Sequence, residues 1–472
     1  PDGKFFKKLK RRLILDLKGS GVSGASAKSE RVLLTRVLDI VFDSLELMRN
    51  ARRVRGRGLD YLALDFSNAF YHFPVAHIER RYLVTKLRSF FYVWVRATQG
   101  SRGAPLICGR ALAQAMRMAF STVPVEAARG SCYVDDPLMS FDADCATNER
   151  NMAKVVGVLA ALGYDLAFAK AQRNKDGAEV IWTSARITAN DQDESVTIAI
   201  KEEILEELTA DADRHLNSNH MKIDDLRTFA GRAMCVATLV HAWRPFVAML
   251  WGPIFNPRGH CKARPGYLWT KVVRQPLRWI RAFLRGTAGT LIRTYRLSDY
   301  LGEGPKVQII CDASPWGFGA VLVIDGVLIA AIYDEISKHD EQVLQCRAGS
   351  SAGQQTWEAL ILLIALRHWS DHWRSNRASL SVKSDSITAL TALVKMKASG
   401  HATSLISREL ALDVADALYE PALVEHVPGV ANVTADWLSR PGKMASVPRP
   451  AALRDVALLR APVRDASWWR TL

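Results

Sequence analysis

The chain has 472 residues and a formal net charge of +15. This length allows several hydrophobic cores and predicts about three domains. A basic excess of this size points to a nucleic-acid partner, because phosphate neutralisation dominates such binding. A membrane surface is the rival partner, but the sequence has no long apolar span and no signal peptide. We therefore expect an intracellular protein of the cytoplasm or nucleus that is neither secreted nor inserted into a membrane.

The seven cysteines form no C-x-x-C pair. This pattern argues against a zinc site and against a disulfide framework, and it favours a reducing compartment.

A basic run at residues 7–18 enters an apolar segment that is typical of a strand. A solvated basic tail is an equally simple interpretation for Lys7, Lys8 and Lys10. Residues 30–39 then predict the entry to a helix.

The first candidate catalytic acid lies in Leu62–Phe70, which predicts a buried strand that ends at Asp65 and is followed by a turn. An acid at the end of a buried strand can meet acidic groups on the next strand of the sheet.

Two adjacent acids follow in Tyr133-Val134-Asp135-Asp136, with apolar residues on both sides. The pattern predicts a short buried hairpin with the acids at its turn, although a solvated Asp-Asp turn is a serious alternative. Neighbouring carboxylates repel each other unless something positive lies between them. Asp65 weakens the alternative, since three carboxylates around two Mg²⁺ ions can clamp the attacking and leaving oxygens of a phosphoryl transfer.

The middle of the chain is less informative. Residues 195–208 predict a strand running into a helix, and residues 222–239 and 240–251 predict further helices. Residues 253–265 contain Pro, Gly and Arg and predict a linker. The basic, Trp-bearing stretch 269–297 is either a small connecting element with a nucleic-acid surface or a set of packing helices with basic outer faces.

The C-terminal third predicts an α/β domain. Strands are expected at 307–313, 317–323, 327–331, 380–385 and 423–427, with Asp325-Gly326 as a hairpin turn. A long amphipathic helix is expected over 354–370, and a last helix begins at Asn432. The acids of this region stand at strand ends or on helices: Asp312, Glu358, Asp385 and Asp436.

In their order along the chain, the motifs of the first half resemble the palm of a retroelement reverse transcriptase. Asp65 with Ala69-Phe70 resembles the first motif of that family, Gln99-Gly100 with Pro105 the second, Tyr133–Asp136 the third, and Gly163-Tyr164 with Lys170 the fourth. The usual Leu-Pro before Gln-Gly is Ala97-Thr98 here, and residues 101–105 also depart from the common pattern.

The resemblance implies roles for residues of the first half. Asp65, Asp135 and Asp136 would bind two Mg²⁺ ions, for which Mn²⁺ can substitute. Phe70 would exclude a 2′-hydroxyl and so select deoxynucleoside triphosphates. The other residues expected to contact substrate are Arg11, Arg12, Lys18, Gln99, Tyr133 and Lys170. An ordinary core Phe and an exposed Lys are the plain alternatives for Phe70 and Lys170.

The second acid set resembles the quartet of a ribonuclease H. The resemblance implies that Asp312, Glu358, Asp385 and Asp436 hold two Mg²⁺ ions and that His426, ten positions before Asp436, assists product release. Asn432, four positions before Asp436, also matches the ribonuclease H pattern, and the closing run 435–440 resembles that of gypsy- and DIRS-like retrotransposons.

The two resemblances together imply an α/β and α+β multidomain protein, a right-hand polymerase with fingers, palm and thumb followed by a ribonuclease H-like domain. The expected regions are fingers and palm at 1–190, a thumb at 191–252, a connection at 253–304, the nuclease at 305–440 and a disordered tail at 441–472. The implied partners are an RNA template, a DNA primer, the RNA–DNA hybrid and deoxynucleoside triphosphates, and the oligomeric state is left open. The alternative is a decayed or domesticated copy that binds nucleic acid without catalysis.

Overall fold

The protein is described by a computed structural model that covers residues 14–471, except for 27–29, 31–33, 53, 175–178, 256–263, 375–378, 397–399 and 417–422. Arg11 and Arg12 lie outside the described residues. The chain divides into two compact units, Pro1–Val196 and Thr197–Leu472. The boundary between the units falls inside the expected thumb at 191–252, and the expected connection, nuclease and tail lie within the second unit. No helix of the described part is long and apolar enough to cross a membrane.

The first unit is built on a four-stranded sheet. Its strands in chain order are β1 (Arg57–Ala63), β4 (Ala128–Tyr133), β5 (Asp136–Asp144) and β6 (Gln172–Arg173), arranged in the order β4-β5-β1-β6. Between β1 and β4 in the chain lies a separate hairpin of β2 (Val84–Leu87) and β3 (Phe90–Val93). The strands β7 (Val180–Trp182) and β8 (Ala185–Asn190) form a further antiparallel pair.

Three helices pack on the four-stranded sheet: Val37–Ala51, Ala104–Phe120 and Cys145–Ala161. The short helix Val22–Ala25 lies apart from them, and its Val22 packs with Leu15, Leu17 and Leu83. Helices Ala104–Phe120 and Cys145–Ala161 share a core with Phe66, Met139 and Phe141 of the sheet region. On helix Val37–Ala51, the buried Ser44 hydroxyl accepts a hydrogen bond from Tyr61 of β1 at 2.9 Å. The central strand is therefore fixed by packing and by a buried polar contact.

The N-terminal basic segment forms no strand over its described residues. Leu15 and Leu17 are buried and pack with Leu83, while Lys18 is exposed in a turn. The Leu15 amide donates to the Gln99 carbonyl at 3.0 Å. The segment thus lies against the loop that contains Gln99, held by its two leucines.

The second unit begins with helices and small strands. Strand β9 (Ser195–Ile200) contains the boundary between the units, and β10 (His220–Lys222) pairs with β11 (Tyr267–Trp269). The helices are Glu202–Leu216, Ile223–Leu239, Arg244–Phe255, Arg274–Leu284 and Leu297–Tyr300, and the strand β12 (Arg293–Arg296) lies between the last two. The stretch 269–297 is therefore only partly helical, because the last turn of its helix ends before Gly286 and the chain then becomes extended.

A six-stranded sheet forms the rest of the second unit. Its strands are β13 (Lys306–Ala313), β14 (Gly317–Ile324), β15 (Val327–Glu335), β16 (Ser379–Ser384), β17 (Leu423–His426) and β18 (Leu458–Arg460), arranged in the order β17-β16-β13-β14-β15-β18. The hairpin between β14 and β15 turns at Asp325 and Gly326, and both have positive φ, as expected for this dipeptide. The strands β16 and β17 run parallel to β13, in the manner of an α/β unit.

Further helices of this region are Lys338–Leu344, Gln354–His368, Asp371–Arg374, Ile387–Lys395, His401–Ala415, Val433–Ser439 and Pro441–Ser446. Helix Gln354–His368 was predicted to be amphipathic, and that prediction is wrong. Its residues Ala359–Leu366 are all buried, so apolar side chains surround the helix on every side. A helix that is apolar all round belongs in a core, and Glu358 is the single acidic residue of this helix.

Residues 441–472 were expected to be disordered, but the described part of this segment is folded. It forms helix Pro441–Ser446 and strand β18, which pairs parallel to β15. Arg464 is buried and donates to Asp340 at 2.8 and 2.9 Å, and the Thr471 amide donates to Glu409 at 2.7 Å. The Pro- and Ala-rich composition concealed these partners, because they lie 60 or more residues away in the chain.

Removal of the Arg464 guanidinium should strongly destabilise the second unit. Both side chains of the Arg464–Asp340 pair are almost fully buried, at 3% and 0% exposure. Arg464→Ala leaves an uncompensated buried carboxylate, at a cost of about 3–5 kcal/mol in the free energy of unfolding. Arg460→Ala is the matched control, since its pair with Asp334 is solvent-exposed and contributes less than about 1 kcal/mol. Equal losses for the two variants in urea unfolding would contradict a folded C-terminal segment.

Candidate active sites

The first candidate site lies where β1 ends beside the β4–β5 hairpin. Ala63 is paired with Leu138, and the next hydrogen bonds run from the Leu64 amide to the Pro137 carbonyl (3.1 Å) and from the Phe66 amide to the Asp135 carbonyl (3.0 Å). This register places Asp65 opposite Asp136. The structure therefore brings the three sequence-predicted acids of the first unit to one end of one sheet.

The hairpin between β4 and β5 closes with a tight two-residue turn, in which Val134 adopts a left-handed backbone conformation. Tyr133 pairs with Asp136, so that Val134 and Asp135 form the two-residue turn. Val134 has φ of 58°, which is an outlier for a β-branched residue. Strain of this kind persists only where the surroundings enforce it, and it directs Asp135 and Asp136 to the end of the sheet.

The electrostatics of this site depend on burial and on one lysine. Burial, and then the charge of Asp135, raise the pKa of the Asp136 carboxyl. Lys170 forms an ion pair with Asp65. An exposed lysine thus neutralises Asp65 in this structure, which differs from its expected contact with substrate.

The remaining sequence-predicted residues of the first unit surround the acids unevenly. Phe70 is half-buried on the 3₁₀ turn Ala69–His72 and packs against the core. Gln99 is half-buried, and Gly100 beside it has φ of 101° and approaches the Leu15 carbonyl too closely for any side chain. Tyr133 packs edge-on against Trp182, whose indole donates to the Asp136 carbonyl at 2.9 Å. Trp182 was not predicted as a site residue, because it lies 46 residues from its partner Asp136 in the chain.

The second candidate site lies at the carboxyl ends of β13 and β16. Cys311 is paired with Ser384 in a parallel register, so the next positions are Asp312 and Asp385. Asp436 approaches from helix Val433–Ser439, where the buried Asn432 side chain donates to the Cys311 carbonyl at 3.0 Å. The structure thus brings Asp436 to the two strand-end acids. Gly319 of β14 lies so close to Leu438 that a Cβ there would clash.

Glu358 and His426 complete the set of predicted residues. Burial raises the pKa of the Glu358 carboxyl against hydrogen bonds from Ser386 and Gln354, and the charge of Asp385 adds to the rise. His426 is exposed, and its Nε2 lies 3.1 Å from the Asp385 carbonyl oxygen. Both residues therefore border Asp385.

Burial dominates the charge state of Asp312. It raises the pKa of this carboxyl to about 7, and the charges of Asp385 and Asp436 act in the same direction. The Ser439 hydroxyl donates to the Asp312 carboxylate at 2.5 Å and opposes the rise. Ser439 was not predicted as a site residue, because its partner lies 127 residues away.

Asp436 is held by two basic side chains. Burial opposes ionisation, but hydrogen bonds from Lys443 and Arg440, at 2.5 and 2.7 Å, lower the pKa of Asp436 below its ordinary value. The Asp436-to-Arg440 spacing of four on neighbouring turns is a sequence signal that was available. Arg440 and Lys443 therefore neutralise the Asp436 carboxylate in this structure.

The donor chemistry of both sites fits a hard divalent cation. All seven acids offer oxygen ligands, the type that Mg²⁺ prefers. The Oδ1 atom of Asp385 is buried and has no hydrogen-bond partner among the described residues, as expected for a ligand atom. As the side chains stand, however, no group of three His, Cys, Asp or Glu residues in the described part forms a metal site. A metal ion at these acids would compete with Lys170 for Asp65 and with Arg440 and Lys443 for Asp436.

Neither a known protein family model nor a curated protein matches this chain. Solved structures of foamy viral protease–reverse transcriptase are similar in part. One, in complex with double-stranded DNA, has 14% identity and a TM-score of 0.43, over 88% of this chain and 62% of that one. Another, in complex with an RNA/DNA hybrid, has 15% identity and a TM-score of 0.37, over 82% of this chain and 46% of that one. Likeness at these scores is too distant to assign a family or a function.

Asp312→Asn should stabilise the metal-free protein more at pH 8 than at pH 5. The folded pKa of about 7 exceeds the ordinary value of 3.8. The folded state therefore holds a proton that the unfolded state releases, and stability falls as the pH rises from about 4 to about 7. Thermal unfolding at pH 5 and pH 8 with a chelator measures the difference. Asp299→Asn, at an exposed position of the same unit, is the matched control, and a pH-independent effect of Asp312→Asn would contradict the burial of its charge.

Proposed function

We propose that the first unit is an RNA-directed DNA polymerase and that the six-stranded sheet of the second unit belongs to a ribonuclease that cuts the RNA of an RNA–DNA hybrid. One observation carries the proposal. In each unit, strand pairing sets two aspartates side by side at the end of a sheet, Asp65 with Asp136 and Asp312 with Asp385, and further acids lie next to them. An origin in a gypsy- or DIRS-like retrotransposon polyprotein is part of the proposal.

Mg²⁺ is the proposed cofactor of both sites, two ions in each, and Mn²⁺ can take its place. Asp65, Asp135 and Asp136 would hold the ions in the polymerase. The acids that would hold the ions in the nuclease are Asp312, Glu358, Asp385 and Asp436. When bound, such ions polarise the phosphate and stabilise the charge on the attacking and leaving oxygens.

The proposed roles of the surrounding residues follow from their positions. Phe70 follows Asp65 on a short turn that is anchored in the core, so its ring would be a rigid barrier to a 2′-hydroxyl. Gln99 and Tyr133 would contact the incoming deoxynucleoside triphosphate and the primer–template. Lys170 would move from Asp65 to the triphosphate when metal ions take over the carboxylate, and the exposed Lys18 would help to bind the triphosphate.

The two activities belong together chemically. A polymerase that copies RNA into DNA leaves a hybrid, and removal of the RNA strand allows the second DNA strand to be made. A hybrid is bound by its shape, backbone and 2′-hydroxyls rather than by its base edges. The net charge of +15 suits such sequence-independent binding. His426 is exposed beside Asp385, and we propose that it assists release of the cut strand.

A second candidate function is nucleic-acid binding by a decayed or domesticated copy. It is favoured by the basic residues on the acids, since Lys170 on Asp65 and Arg440 and Lys443 on Asp436 neutralise the charge that metal ions would need. Against it stands the presence of all seven acids, for which a protein without catalysis has no use. Extension of a DNA primer on a labelled RNA template with Mg²⁺ distinguishes the two candidates. Binding without extension or RNA cleavage supports the decayed copy.

Asp135→Asn should abolish DNA synthesis and leave hybrid cleavage intact, because the two carboxylate sites lie in separate units. Asp436→Asn should have the reverse effect, and each variant is the control for the other. Primer extension and cleavage of a preformed hybrid are measured separately. Loss of both activities in either variant would contradict two independent sites.

Phe70→Val should weaken the selection of deoxynucleotides over ribonucleotides. A smaller side chain opens space for one hydroxyl, and a difference of this size changes discrimination roughly 10–200-fold. The ratio of kcat/KM for matched deoxy- and ribonucleotides measures it. Phe168→Val, at an exposed position of the same unit, is the control, and unchanged discrimination in Phe70→Val would remove the residue from the proposed role.

A further inference from the structure

The hairpin of β2 and β3 exposes an unusual number of aromatic and aliphatic side chains. Phe90 and Phe91 are 67% and 70% exposed, and Tyr82 and Tyr92 are each about half exposed. A two-stranded hairpin is marginally stable alone, and exposed apolar side chains along such an edge are an aggregation hazard. A surface of this kind indicates a binding function.

The root of this hairpin is firmly attached. The Trp94 amide donates to the Leu83 carbonyl at 2.9 Å, and the Trp94 indole donates to Thr85 at the same distance. Leu83 packs with Leu15 and Leu17. The rings farther along the hairpin therefore project from a fixed base.

Both ends of the hairpin lead to the first candidate site. The Val75 amide donates to the Val95 carbonyl at 3.0 Å, and the Ala97 amide donates to the Phe73 carbonyl at 2.8 Å. The chain before this ladder contains Phe70, and the chain after it contains Gln99. A nucleic-acid strand bound on the hairpin would thus lie on the segment of chain that connects Phe70 to Gln99, two residues of the proposed polymerase site.

Cations alternate with the aromatic rings. Residues 77–96 contain five Lys and Arg residues and a single acid, Glu79. The Arg81 guanidinium lies 4.8 Å from the centre of the Tyr82 ring, and the Lys86 ammonium lies 5.6 Å from the centre of the Phe91 ring. Lys86 and Phe91 are cross-strand partners and so share one face.

The turn adds a further cation at the tip. Arg88 has φ of 56°, a conformation that favours Gly or Asn at a hairpin turn. Arg88 occupies this turn in spite of the backbone cost, and its exposed side chain adds positive charge at the tip, beyond the rings. Exposed aromatic rings interleaved with cations are the chemistry that binds an unpaired nucleic-acid strand, by base stacking and phosphate contacts.

We infer that this hairpin, Tyr82–Arg96, is a binding platform for single-stranded nucleic acid. Its rings stack on unpaired bases, while Lys86 and Arg88 contact phosphates. A duplex offers no free base faces, so the platform discriminates single strands from double strands. That the strand is the template ahead of synthesis rests on the proposed polymerase function, whereas binding itself does not.

The test measures binding by fluorescence anisotropy, with the full chain in a chelator so that no catalysis occurs. The probes are a labelled single-stranded pyrimidine oligonucleotide and a labelled blunt duplex. Phe90→Ala with Phe91→Ala should weaken single-strand binding roughly 5–150-fold, the effect of losing one stacked base. Duplex binding should change little. Phe255→Ala removes an equally exposed ring of the second unit and should have no effect on either probe.

A second variant keeps the inference testable if the ring variant folds poorly. For the single strand, Lys86→Ala with Arg88→Ala should make the negative slope of log affinity against log salt shallower by about 1.4, since each phosphate contact contributes about 0.7 to its magnitude. Unchanged single-strand affinity in both variants, or equal losses on the two probes, would overturn the platform. Loss of self-association in sedimentation with unchanged affinity would assign the hairpin to contacts between copies instead. Failure of primer extension with intact single-strand binding would overturn the polymerase and leave the platform standing.

Discussion

Strand register is the constraint on which both candidate sites depend. Antiparallel pairing of β1 with β5 puts Asp65 opposite Asp136, and parallel pairing of β13 with β16 puts Asp312 beside Asp385. A register shift of one residue would move each acid to the other face of its sheet. The apolar residues of these strands fix the register by packing, so the core of each unit determines where its carboxylates meet.

Burial, and after it the charge of neighbouring carboxylates, raises the proton affinity of acids at both candidate sites. The pKa of Asp312 rises to about 7, and those of Asp136 and Glu358 rise as well. Basic side chains form ion pairs with Asp65 and Asp436. Under the proposed function, Lys170, Arg440 and Lys443 would exchange with divalent cations. Their positive charge would then become available to a phosphate, which would link metal binding to substrate binding.

The sequence predicted the C-terminal strands and the order of the acids well, because period-two apolar runs and the Asp325-Gly326 turn are local signals. Helix Ala104–Phe120 also carries a local signal, since Pro105 lies in its first turn. Long-range partners were out of reach. Ser439 on Asp312, Arg464 on Asp340 and Thr471 on Glu409 leave no local trace, so the tail was wrongly expected to be disordered. The buried position of helix Gln354–His368 could have been predicted, because Ala359–Leu366 is an unbroken apolar run that leaves this part of the helix no polar face.

The positions of bound metal ions test the account most directly. Crystals soaked with Mn²⁺ and measured at its absorption edge would reveal the ions by anomalous scattering. The account predicts peaks among Asp65, Asp135 and Asp136 and among the four acids of the second unit, with Lys170 and Lys443 displaced from their carboxylates. Crystals without peaks, in which these lysines still bind Asp65 and Asp436, would contradict two metal-dependent sites.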